Sequence, residues 1–460
     1  MVWTGSAREL VREFLELVPE IGEFMTVDEL SGSARRLARE HGDVAEVVEA
    51  GKSRSGDAVE ALVMRGGEDV ALAFGFPHPN EPVGSMTLEV LSWALARRRD
   101  LLRSLGITWV IVKVADVYGA RLNEGWFKGP FDVLKYAKNY YRPPGYKQVE
   151  WSFPIKYKDL SFDSPTPETR AIMKLIDEWR PSFVFSLHNA GFTGTYYYVS
   201  REPGAEVLEI LYEVPRSLGV PVHRGEPEAP YMTKLAEGVF RMPSVTEIYD
   251  WLERNLGSSP VEALRHGAGS YDYARRVRPD VFELVSEVPY IYDARLDNDT
   301  KIGVPRREVL KIGLARERGL IEELRPLMSR LEPHASPDNP FFESLKNFVE
   351  IAEKQMKAEE RWIESDPSLD SSATVAQAFD AYNRPLFGAV LRAGLLYRAA
   401  GLEASRGSAE LRDLEREALG LLERLTDEFR KYVNYYVIPV SKLVKIQLAS
   451  IIASVASLRG

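Results

Sequence analysis

The sequence predicts an α/β layered domain followed by an all-α bundle. Helical and strand patterns alternate over about the first 300 residues. Two runs, Ile107-Thr-Trp-Val-Ile-Val-Lys-Val and Ser182-Phe-Val-Phe-Ser-Leu, are continuous and β-branched or aromatic enough to be buried strands. From Arg306 onward only helical patterns remain.

In chain order, apolar residues recur at three- and four-residue spacing over 5–22 and 27–41, which predicts two helices. Short β-rich runs follow at 45–50, 59–65 and 69–76, the last two separated by Gly66-Gly67. Residues 82–97 read as a helix opened by Pro82, where the missing N–H costs nothing. An aromatic and proline-rich excursion, 116–165, reads as ordered and leads into a helix at 166–179. Further strands are expected at 194–199 and 281–288. In the second part, helices are expected at 308–331, 340–364, 373–401, 408–436 and 439–457, with breaks at Pro333–Pro340, Asp366-Pro367 and Pro439. Four or five such helices make a bundle, and the expected domains are 1–305 and 306–460.

Composition narrows the chemistry. The 460 residues carry a net charge of -9, against the basic footprint of a general nucleic-acid binder. Cysteine is absent, which removes disulfides, thiolate metal sites and thiol nucleophiles. Any metal must therefore sit on His, Asp or Glu, and there are six histidines. The N-terminus lacks a basic start followed by an apolar run, so a cytoplasmic location is expected. The apolar stretch 443–458 is interrupted by Lys445, follows Lys442, and is short for a membrane span; a buried or partner-facing helix is expected.

The segment Gly75-Phe-Pro-His78-Pro-Asn-Glu81-Pro lies where a strand hands over to a helix. A His and a Glu three residues apart in a tight turn present a nitrogen and a carboxylate oxygen to one cation. A catalytic zinc needs a third ligand and an open position for water. His188, in Phe185-Ser-Leu-His188-Asn, also ends a strand, and groups beyond the carboxyl ends of strands converge on one crevice in open α/β sheets. Each residue alone has an ordinary structural use: a capping histidine, a helix N-terminal acid, a satisfied strand-end histidine.

With these residues the chain resembles the carboxypeptidase A family of zinc metallopeptidases over about residues 24–293. The resemblance runs through Phe24-Met-Thr-Val-Asp-Glu-Leu, Leu37-Ala-Arg-Glu-His-Gly-Asp-Val and Gly51-Lys-Ser-Arg-Ser-Gly, then His78-x-x-Glu81 and Ser-Leu-His188-Asn. It closes with Gly269-Ser-Tyr271-Asp-Tyr and Phe282-Glu-Leu-Val-Ser-Glu287-Val-Pro-Tyr. It implies a mixed central sheet flanked by helices. It also implies one Zn2+ held by His78, Glu81 and His188, with Glu287 as the general base of a hydrolase cleaving amide bonds at or near a C-terminus. Glu247 is the rival base, but Ser244-Val-Thr-Glu247 has capping-box spacing at the start of a helix over 245–256.

Three departures shape the expected substrate. The family's Asn-Arg pair for a terminal carboxylate has no counterpart, the stretch reading Gln148-Val-Glu-Trp-Ser-Phe-Pro. Its capping tyrosine falls near Leu264. Its oxyanion arginine is assigned first to Arg121 and second to Arg142. Tyr271 takes the pocket-floor position, His266 is placed to touch substrate, and His223 reads as a solvated loop residue. The expected substrate is a peptide or N-acyl amino acid, with no nucleic acid or membrane partner. Alternatives are a zinc deacylase or amidase on a non-peptide or N-acyl amino acid substrate, and a non-catalytic binding scaffold. The helices after 306 read as a packed appendage, or as a lid or an interface between copies of the chain.

Overall fold

The structure, a computed structural model, describes residues 6–256, 259–407 and 409–457. Its strands are β1 (Ala45–Lys52), β2 (Ala58–Met64), β3 (Asp69–Phe74), β4 (Ile107–Val112), β5 (Ile155–Tyr157), β6 (Leu160–Phe162), β7 (Phe183–Phe192), β8 (Tyr196–Val199), β9 (Thr233–Ala236), β10 (Val239–Arg241), β11 (Phe282–Tyr292), β12 (Lys301–Pro305), β13 (Ser372–Thr374) and β14 (Tyr436–Val437). Ten of them form one mixed sheet in the order β1-β2-β4-β3-β7-β11-β8-β10-β9, with β14 added to β11. The centre, β4-β3-β7-β11, is parallel, and β1, β2 and β8 join antiparallel.

Sequence and position agree here. Every residue of β4, β7 except Ala190, and β11 is buried, as two-sided coverage by helices demands of a parallel strand. Each buried Val, Ile or Leu contributes about 1.5–3 kcal/mol of apolar transfer, so this centre is the rigid part of the molecule. The chain runs from β3 through the helix Val83–Arg97 to β4 on one side. On the other side of β3, β7 is followed in the sheet by β11. Strand order therefore reverses at β3/β7, and the carboxyl ends of those two strands open onto one crevice.

The long helices Arg306–Leu331, Pro340–Ser365, Val375–Ala404 and Ala409–Tyr432 pack on one another as expected. The last helix, Val440–Ser457, does not belong with them. It lies between the helices Ala7–Glu16, Val83–Arg97 and Ala205–Ser217 and strand β11. It is long and apolar enough to cross a membrane by composition, with a mean hydropathy of 1.4, and 72% of it is buried within this fold. A helix apolar all round is what a fully enclosed position requires. The expected boundary at 305 thus separates β14 and this helix from the sheet that holds them. The excursion 116–165 is ordered, with helices Val117–Asn123 and Val133–Lys138 and the hairpin β5–β6.

Candidate metal centre

The loop after β3 is forced into shape by its own backbone. Gly75 N–H donates to Val112 O (3.0 Å), and Ala115 N–H donates back to Gly75 O (3.0 Å). Phe76 then adopts φ 51°, a left-handed conformation costly for an aromatic residue and held here by full burial. A tight turn follows, closed by Glu81 N–H to His78 O (3.1 Å). Gly84, at the start of the next helix, lies so close to β7 that a Cβ would stand 2.6 Å from Leu187 Cβ. The helix is thereby pressed against the strand that carries His188. Asn189 Oδ1 accepts from Val83 N–H (3.2 Å), tying the two elements at the same level.

His78, Glu81 and His188 are all buried, and one ligand atom from each lies within 4.8 Å of the others. The imidazole rings stand 4.8 Å apart at 66°. Among the described residues, His78 Nδ1 and Glu81 Oε2 have no hydrogen-bond partner, and His188 Nδ1 faces that same Glu81 oxygen at 3.0 Å. Orphaned buried nitrogen and carboxylate atoms aimed at one point are costly. A divalent cation satisfies all three, and His/His/Glu is a zinc donor set that leaves a fourth position open. Burial, with Arg142 and His188 nearby, holds the His78 imidazolium disfavoured, so this ring is neutral and has a lone pair to give.

Glu287, beside His188 in the β11/β7 register, presents Oε1 3.7 Å from His188 Nδ1. Its Oε2 is unpartnered among the described residues. Burial, then the Glu81 and Glu228 carboxylates, push its pKa well up, and Arg142 opposes them. Arg142 spans the site's edge: Nη1 donates to Glu81 Oε1 (3.0 Å) and Nε to Gln148 Oε1 (3.2 Å). Glu81 therefore keeps one oxygen for the arginine and one for the cation.

These residues line a cavity of about 600 Å³ together with His266, Tyr271 and Leu264. His266 lies against Trp151, ring centroids 4.9 Å apart and the planes tilted by 54°, and its Nδ1 lies 2.8 Å from Gly267 O. Tyr271 sits in the first turn of the helix Ser270–Val277 under the Arg275 guanidinium. Five of the sequence-derived residues around the metal ligands, Glu287, Arg142, His266, Tyr271 and Leu264, thus converge.

Arg121 does not. It lies on the helix Val117–Asn123 and pairs with Asp28 (2.8 Å) and Asp57 (3.3 Å), outside the residues that line the cavity. Asp116 caps that helix through Gly119 N–H, and two positions apart on it Asn123 is fully buried while Arg121 stays partly exposed. Glu247 is a capping-box acid, its carboxylate on Ser244 N–H (2.9 Å) and on Arg241 (2.7 Å). His223 is buried, not solvated, with Nε2 2.7 Å from Glu226 O.

No family model matches the chain, and no curated protein matches it. Among solved structures, carboxypeptidase A from Helicoverpa armigera aligns at 16% identity over 62% of this chain and 71% of its own, TM-score 0.36. A metallo-carboxypeptidase from Burkholderia cenocepacia aligns at 15% over 57% and 58%, TM-score 0.31. One from Pseudomonas aeruginosa aligns at 14% over 55% and 58%, TM-score 0.32. All three are carboxypeptidases.

Several contributors were not legible in the sequence. Asn347, Phe348, Gln355, Glu359, Arg384 and Phe387 form the cavity wall opposite the sheet, and all come from the helical region. Gln447, fully buried on the last helix, donates to His188 O (2.9 Å) and Ser286 O (3.1 Å) and accepts from Thr87 Oγ1 (2.9 Å). The two carbonyls lie just before the β7/β11 register shifts after Val288. The signal available was a glutamine in the apolar stretch that follows Lys445.

Proposed function

We propose that this protein is a zinc-dependent amide hydrolase of carboxypeptidase type, with His78, Glu81 and His188 holding one Zn2+ and Glu287 as general base. The observation that carries the reading is the convergence of two orphaned buried atoms and His188 Nδ1 on one point beside an unpartnered carboxylate. When bound, such an ion lowers the pKa of water and polarises a scissile carbonyl.

The chain's own groups do the rest. Glu287 takes the proton from the attacking water as oxygen joins the carbonyl carbon. It returns that proton to the leaving nitrogen as the C–N bond breaks, and the second water proton follows from the new carboxyl group, giving a carboxylate and an ammonium. Arg142, already anchored on Glu81 and Gln148, orients the substrate carbonyl oxygen from the cavity edge. The substrate class is a peptide or an N-acyl amino acid.

A specific observation favours a deacylase or amidase variant of the same chemistry. Arg142 and Arg384 are the arginines lining the cavity, and Arg384 is engaged by Asp380, Glu226 O and Pro227 O. Among the described residues that leaves no free bidentate clamp for a terminal carboxylate.

Elemental analysis should find one zinc per chain, and panels of peptides and N-acyl amino acids should show which amides are cut. Glu287→Gln should keep the zinc and lower kcat by about 10³-fold or more. A variant that stays active removes Glu287 from the role; zinc without turnover of any amide removes the enzyme.

A further inference from the structure

Behind His188 runs a buried chain of hydrogen bonds that ends on two carboxyl groups. His188 Nε2 lies 2.8 Å from Ser186 Oγ, and Ser186 Oγ donates to Glu150 Oε2 (3.0 Å). Glu150 Oε1 accepts from Ser270 N–H (2.9 Å) and lies 2.6 Å from Ser270 Oγ. Ser270 Oγ is also 2.6 Å from Glu283 Oε1. All five side chains are buried, Ser186, Ser270 and Glu283 completely.

Proton counting orders this chain. A serine hydroxyl has one hydrogen, so Ser270 cannot donate to both carboxylates at 2.6 Å; one of the two must itself be an acid and donate to Ser270 Oγ. Glu150 has three donors directed at it: the Ser186 hydroxyl, the Ser270 amide and the Ser270 hydroxyl. Glu283 touches only Ser270 Oγ through Oε1, and its Oε2 is unpartnered among the described residues. The negative charge therefore belongs on Glu150, and Glu283 is the acid. Burial and the adjacent Glu150 also push the Glu283 pKa well up. With the Ser186 proton committed to Glu150, His188 Nε2 must be the donor to Ser186. Its Nδ1 then has a lone pair, pointing at the cation position.

We propose that Glu150, acting through Ser186, is a positioning residue that fixes the His188 tautomer for metal binding, and that Glu283 is the neutral acid at the far end of the relay. The inference rests on the reading of His188 as a ligand. It extends the general pattern in which a ligating histidine donates its outer N–H to an anchoring group, here with Ser186 interposed before Glu150, and with Ser270 and Glu283 beyond it.

The test sets the same substitution on two buried glutamates and expects opposite results. In the full chain, Glu150→Gln removes the anion that orders the relay and should weaken zinc 10- to 100-fold against a competing chelator. Glu283→Gln replaces one donor to Ser270 with another and should leave zinc affinity within about threefold. Glu150→Asp should recover part of the loss, which a packing defect would not. Nitrogen-15 spectra of the metal-free protein should show His188 protonated at Nε2 in the wild type and Glu283→Gln, and a mixed tautomer in Glu150→Gln. Should Glu150→Gln fail to fold, Ser186→Ala breaks the same relay and should show the same loss. Equal effects of the two Gln variants, or a larger one at 283, overturn the proposal. A wild type that binds no divalent ion overturns the metal reading instead, and the tautomer spectra then judge the relay alone.

Discussion

The sheet edge and the helical region that faces it contribute to one cavity in different ways. The sheet edge supplies groups with lone pairs aimed at a point: His78, Glu81 and His188 within 4.8 Å, and Glu287 beside them. Their backbones are fixed by ladder bonds and by a strained loop at Phe76. The helices supply a wall of separate side chains, Asn347, Phe348, Gln355 and Phe387 among them, spread over 40 residues. Reactive groups come from short stretches on rigid strands, whereas enclosure comes from long helices packed around them. One residue joins the two regimes: Gln447, from the last helix, holds the backbone of His188.

Breaking that joint should give the largest effect on stability. Gln447→Leu keeps the volume but takes the amide donor from His188 O and Ser286 O in a dry site, while Thr87 Oγ1 still donates to Val83 O (3.1 Å). Leaving buried polar groups unpaired costs about 1–3 kcal/mol each, so a loss of about 2–4 kcal/mol is expected in urea unfolding. Because His188 O is one of the released atoms, zinc affinity of the folded fraction should fall as well. Unchanged affinity would mean that β7 is held without help from the last helix.

A smaller effect distinguishes the wall from the edge by pH. Glu359 projects from the helix Pro340–Ser365 between this cavity and a second one among the helices. Burial pushes its pKa up to about 7 from the ordinary 4.5. A carboxyl raised in the folded state contributes stability when protonated and loses it as pH rises through about 4.5 to 7. Glu359→Gln removes that loss. The variant should match the wild type near pH 4 and exceed it by about 1–3 kcal/mol at pH 8. A constant difference across that range would show that Glu359 is already paired or solvated.

The elements of the fold were legible because their patterns are strong. The long helices and the strands β3, β4, β7 and β11 lie within a few residues of their predicted limits, since continuous apolar runs and 3.6-residue periodicity both report burial. His78 and Glu81 were legible as residues just after the β3 run and His188 as a residue of the β7 run, although β7 continues past His188 to Phe192. Glu287, inside β11, came only from the resemblance. Glu150, Ser186 and Ser270 were not legible, because small polar residues have local uses everywhere, and only tertiary contact makes a relay of them. The place of the last helix was missed for a related reason. Apolar periodicity says that a helix is buried, not against what.

Arg121 shows the same limit at a single residue and sets the smallest prediction. Sequence position put it near the site, but helical phase decides where a side chain goes, and Asn123, two positions on, is the buried one of the pair. Its guanidinium lies between Asp28 and Asp57, partly exposed, where ion pairs contribute about 0–1 kcal/mol. Arg121→Ala should therefore change stability by less than about 1 kcal/mol and leave zinc content and kcat/KM within twofold. The parallel variant Arg142→Ala should lower kcat/KM by about 10²-fold, because it removes a group that touches both Glu81 and the cavity. If the two variants behaved alike, proximity to the metal ligands would not be what separates a functional arginine from a structural one here.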